Sequence, residues 1–132
     1  MIGQKLRRRF TVHDSIHNPI QLDEYNEPQP HFTLLRWQDD FYAKQLPTPP
    51  SVLLLIEMAT TTVKAKLSLY AGAGIAEVWL INSKEQKIAQ YTQPDGNLYV
   101  NRQLIKRGAI TTTCLSPAVA VPVEHILGLK VS

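Results

Sequence analysis

The chain has 132 residues, 44% of them apolar, and its 14 basic and 11 acidic side chains give a formal net charge of +3. That length supports one core rather than two domains, and the longest apolar run, residues 52–56, falls far short of the ~20 residues of a membrane-spanning helix. A single cysteine, Cys114, excludes an internal disulfide, and the absence of any Cys/His ligand spacing argues against a zinc site, so the expected setting is a reducing cytoplasm.

Residues 1–9 form a basic segment in which Arg7, Arg8 and Arg9 read as a solvated run rather than a DNA contact. Residues 10–132 read as one continuous domain. In FTVHDSIHNPIQL, β-branched residues are interrupted by Pro19, which cannot donate to a ladder, so short extended segments near a sheet edge are expected, with His13 and His17 on the surface. DEYNEPQPH is acidic and punctuated by prolines, a connection that hands over to a strand at residues 32–35. WQDDFYAK has no usable periodicity, and LPTPP reads as a stiff extended connector.

The run LLLIE at residues 53–57 is the most informative stretch. An apolar strand that delivers one carboxylate at its end reads as a buried strand feeding a site, because a charge is rarely placed there unpaired. After it, ATTT supplies capping hydroxyls, and Val63, Leu67, Tyr70 and Ala71 recur on one face of a helix predicted over residues 62–71 and stopped by glycines. IAEVWLI at 75–81 reads as a second buried strand, parallel to the first through a right-handed crossover, with Tyr70 and Trp79 as core residues. Residues 87–92 and 98–103 alternate around QPDGN as a hairpin, a last strand is expected at 109–114 with Cys114 a small buried residue, and VPVEHILGL closes the chain as a short helix.

The segments NEPQPHFTLLR, YAKQLPTPPSVLLLIEMA and KLSLYAGAGIAEVWLIN, in that order, resemble the Uma-two family of restriction endonuclease-like proteins, a branch of the PD-(D/E)XK nuclease superfamily. The likeness extends from about Asn18-Pro19-Ile20 to the VEHILGL tail, and KLSLYAGAGIAEVWLI is its most specific block. It implies an α/β fold with a restriction endonuclease-like mixed central β-sheet and flanking helices, and Mg²⁺-dependent hydrolysis of DNA phosphodiesters. The resemblance makes Glu57 the strand-end metal ligand and Lys66 the family's lysine, carried on the following helix, while Ala59 stands where the wider superfamily places its lysine.

Three departures set the functional expectation. Pro30 is followed by His31 where the family's Pro-Asp dyad supplies a metal-binding aspartate, so the ligand positions become Glu57 and His31, and an imidazole suits transition ions better than Mg²⁺. The segment between Glu57 and Lys66 is shorter than the family's, which is expected to leave Lys66 too far round the helix, with Lys64 as substitute and Asp39 or Asp40 as replacement acids. The family's N-terminal helical region, with its acidic residue, is reduced. The expectation is therefore a metal-dependent endonuclease that is weakened or inactive, with Glu57, Lys66 and His31 as its site. The alternative is a non-catalytic nucleic-acid-binding or oligomerisation module. A second copy or a full-length paralogue is the expected protein partner, joined through a sheet face left uncovered over the strands at 52–57 and 75–81.

Overall fold

The computed structural model describes residues 12–16, 18–38, 40, 42–114 and 118–127. Arg7, Arg8, Arg9, His17, Asp39 and the side chain of His13 lie outside this description. In chain order the elements are β1 (Val12–Ile16), β2 (Phe32–Arg36), β3 (Val52–Met58), α1 (Thr61–Gly72), β4 (Glu77–Asn82), β5 (Lys87–Asp95), β6 (Leu98–Ile105), β7 (Ala109–Thr111), β8 (Ala120–Pro122) and α2 (Val123–Leu127). The first six strands form one sheet in sequential order, antiparallel except for the parallel pair β3–β4. This is the expected mixed sheet, with the carboxylate-bearing strand at its centre and α1 as the crossover.

Alternation along the central strands builds two cores. One face carries Leu54, Ile56, Trp79 and Ile81 against Ile110, Val119, Val121 and Ile126 from β7, β8, α2 and the segment between the two strands. The other carries Leu55, Val78 and Leu80 against Val63 and Tyr70 of α1 and against Ile20 and Leu22 of the connector before β2. Both central strands are thus buried on both faces, as the near-continuous apolar runs of a parallel pair require. This overturns the expectation of an uncovered face over β3 and β4: the connector, α1 and the β7–β8–α2 unit cover them.

Local sequence explains the ends of α1. Thr60 caps it, its hydroxyl accepting the Val63 N–H at 3.1 Å. At the other end Gly74 takes φ +83°, the Gly74 N–H donates to the Ala71 carbonyl, and the Ile75 N–H donates to the Tyr70 carbonyl, each at 3.0 Å. That double bond is a Schellman stop, reinforced by Ile75 and Tyr70 sharing one core cluster. It also fixes where Tyr70 sits relative to β3.

The hairpin is tighter than QPDGN suggested. Asp95 pairs with Leu98, so only Gly96 and Asn97 turn, with Gly96 at φ +61°. Its tip folds back on α1, where a Cβ added to Gly72 would lie 2.7 Å from Asn97 Oδ1, so a side chain there would collide with the turn. The last predicted strand is also shorter than expected. β7 ends at Thr111 and pairs with β8 in a separate two-stranded sheet, because the chain leaves the ladder to bring Thr113 and Cys114 onto a buried carboxylate of β4.

Candidate active site

Glu57 is the penultimate residue of β3, paired with Leu80 of the parallel neighbour, and its side chain shares the α1 face with Leu55. It is 6% exposed. Near the C-terminal end of α1, Tyr70 is fully buried and its hydroxyl donates to Glu57 Oε2 at 2.7 Å. Tyr70 is the hydrogen-bond donor to Glu57 among the described residues, and no described side-chain polar atom is both fully buried and without a partner. Oε1 therefore keeps access to solvent.

Burial raises the Glu57 pKa above the ordinary carboxylate range, opposed first by the Tyr70 hydrogen bond and then by the charge of Lys66. The Tyr70 phenol is pushed up in turn, by burial first and then by the Glu57 charge. Lys66 is thus electrostatically engaged with Glu57, and it is half-buried on the turn of α1 preceding Tyr70. Lys66 and Tyr70 line one cavity. Lys64, the proposed substitute, is exposed and acts on Glu85.

His31 immediately precedes β2. Phe32 pairs with Ile56 and Thr33 with Leu55, so continuing that antiparallel register brings position 31 alongside Glu57 and on the same sheet face as Thr33 and Leu55. Asp40 is different. β2 runs away from Glu57, and the chain after Arg36 emerges beside Val52, at the other end of β3, where Arg36 Nε donates to the Pro50 carbonyl at 2.9 Å. Five residues of strand separate that end from Glu57, roughly 16 Å, and Asp40 there accepts the Tyr42 N–H at 3.1 Å. It cannot replace the missing aspartate.

Two further contributors were not legible. The connector at residues 20–30 packs on α1 with Ile20 and Leu22 buried, and a cavity of about 240 Å³ opens between it and the helix, lined by Leu22, Tyr25, Asn26, Glu27, Pro28, Lys66, Leu69 and Tyr70. Proline spacing had marked this stretch only as a connection. Tyr70 is the second, since a helix-face pattern identifies a buried tyrosine but not the acceptor its hydroxyl meets.

As a divalent-metal site this donor set is incomplete. Mg²⁺ takes hard oxygen ligands, and the described residues offer one free carboxylate oxygen, Glu57 Oε1, with an imidazole-bearing position beside it. Among the described residues no three His, Cys, Asp or Glu side chains converge as a metal would need.

A family model described as "Uma2: Putative restriction endonuclease" matches residues 3–123, and the chain belongs to that family. The fold is similar to the crystal structure of a protein described as a putative nuclease belonging to DUF820 from Anabaena variabilis ATCC 29413, with a TM-score of 0.70 over 97% of this chain and 74% of that one, at 11% identity. None of the curated proteins matches the chain. No helix among the described residues is long and apolar enough to cross a membrane.

Proposed function

We propose that this chain is a DNA endonuclease domain of the PD-(D/E)XK type whose phosphodiester hydrolysis is weakened or lost. One observation carries the reading: at the end of the central parallel pair, a buried carboxylate accepts the hydroxyl of Tyr70 and feels the charge of Lys66, and those two residues line an open cavity. Glu57 Oε1 is available to accept a proton from water, and a carboxyl raised toward neutral pH suits that task. The Lys66 ammonium is placed to hold an anionic phosphate oxygen. In such nucleases a divalent cation supplies the activated water and neutralises the charge developing on phosphate. Here Glu57 and His31 form too small and too soft a set to hold Mg²⁺ well, which is the reason for proposing impaired activity.

Plasmid nicking tests this directly. The expected result is little or no cleavage of supercoiled DNA with Mg²⁺, somewhat more with Mn²⁺, and none from Glu57→Ala. His31→Asp, which restores the hard ligand, should raise cleavage. If His31→Asp binds Mn²⁺ no better and cleaves no more than the parent chain, the ligand assignment fails. DNA binding with no cleavage in any variant would favour the alternative, a non-catalytic nucleic-acid-binding module in a reducing cytoplasm. Pairing with a second copy or a full-length relative belongs to this proposal, and mass measurement of the mixture would detect it.

A further inference from the structure

Among the described residues Tyr25 is the most exposed large apolar side chain, at 90%, yet it sits on one of the more tightly tied loops. The Asp23 carboxylate accepts the Tyr25 N–H at 2.8 Å, the Asn26 N–H at 2.9 Å and the Asn26 side-chain amide on both oxygens at 2.9 Å. The Leu22 N–H donates to the Asn26 carbonyl at 2.9 Å and the Ile20 N–H to the Pro28 carbonyl at 3.0 Å, closing the loop above the buried Ile20 and Leu22. The backbone under Tyr25 is therefore fixed while its ring touches little of the protein. Intramolecular packing does not account for an aromatic held in this way. Its ring borders the same cavity as Lys66 and Tyr70.

We propose that this cavity receives one unpaired nucleotide, its base stacked on Tyr25 and its phosphate facing Lys66, so that the substrate of the site is single-stranded or locally unpaired DNA. The proposal rests on the nucleic-acid reading of the site. At about 240 Å³ the space is too small to enclose a whole drug-sized ligand, so a nucleotide would sit in it only in part, with its base outside on the exposed Tyr25. A base inside a duplex has both faces stacked and its edge paired, so it offers no free face to Tyr25, whereas any unpaired base does. Glu24 and Glu27 are exposed on either side of Tyr25 and Glu27 also lines the cavity, which leaves Lys66 as the one basic side chain of the lining to face a phosphate.

The test is equilibrium binding of a short labelled DNA single strand and of its duplex, in EDTA, by fluorescence anisotropy. Tyr25→Ala should weaken single-strand binding about tenfold or more while leaving duplex binding unchanged. Tyr25→Trp should retain the affinity, and its emission should be quenched as strand is added. The fold is protected in these variants, because the side chain is exposed and the backbone bond to Asp23 does not depend on it. Equal single-strand affinity for the parent chain and Tyr25→Ala, or tighter binding of duplex than of single strand, would overturn the proposal. Plasmid nicking without any dependence on Tyr25 would overturn it and leave the nuclease reading standing. Stacking without cleavage would support it and remove the catalytic reading.

Discussion

The molecule buries two glutamates on neighbouring parallel strands, and they have opposite surroundings. Glu77, at the start of β4, is fully buried on the face opposite α1 and accepts five hydrogen bonds: Trp79 Nε1 at 2.6 Å and Gln90 Nε2 at 2.8 Å on Oε2, with Thr113 N–H and Oγ1 at 2.8 Å and Cys114 N–H at 3.0 Å on Oε1. Gln90 Nε2 also donates to the Thr111 carbonyl at 2.8 Å, so this carboxylate ties β4, β5 and the segment after β7 together. Cys114, packed against it, has its thiol pushed up by burial first and by Glu77 second, which fits an inert residue rather than a nucleophile. Glu57 has one donor among the described residues, Tyr70, which with Lys66 lines a cavity. Burial alone does not mark a functional acid; a buried acid with unused hydrogen-bonding capacity beside open space does.

The contrast can be broken most forcefully at Glu77. Glu77→Ala strands an indole N–H, a glutamine amide and two backbone N–H groups, so it should cost at least about 3 kcal/mol in urea unfolding, enough to leave much of the chain unfolded. Tyr70→Phe removes one charge-assisted bond and should cost about 1.5 kcal/mol while leaving the α1 packing intact. Lys66→Met should change stability least, by less than about 1 kcal/mol, and its effect belongs in DNA affinity and cleavage.

Glu57→Gln sharpens the comparison through pH. The folded state raises this carboxyl above its ordinary value of 4.5. Between that value and the raised one, the unfolded chain has released its proton while the folded chain keeps it, so stability falls as pH rises through the window and stays lower above it. Glu57→Gln should therefore be more stable than the parent chain at neutral pH and lose that advantage near pH 4. Urea midpoints at the two pH values check this. An advantage that is equal at both would mean that ionisation of Glu57 carries no cost. Loss of stability at neutral pH would make Glu57 a structural acid like Glu77.

Much of the architecture was legible because it is locally encoded. The apolar run of β3, the Thr60 cap, the Gly74 stop and the Asp95-Gly96 turn each write their geometry into a few consecutive residues. The block around Lys66 carried the family likeness, which the family match over residues 3–123 bears out. What misled was distance along the chain taken for distance in space. Asp40 lies closer in sequence to Glu57 than the cavity residues Leu22, Tyr25, Asn26, Glu27 and Pro28 do, yet an antiparallel strand carries it to the far end of the sheet.

By itself, then, the sequence determined the order of elements and the carboxylate on the central strand, since strand period, capping and turn chemistry act over a few residues. Only the tertiary structure decided which glutamate is saturated and which is open, that Lys66 and Tyr70 line one cavity, and that the DEYNEP loop forms its wall. Those outcomes depend on which face of the sheet each side chain enters and on what packs there from segments dozens of residues away. No local pattern encodes that.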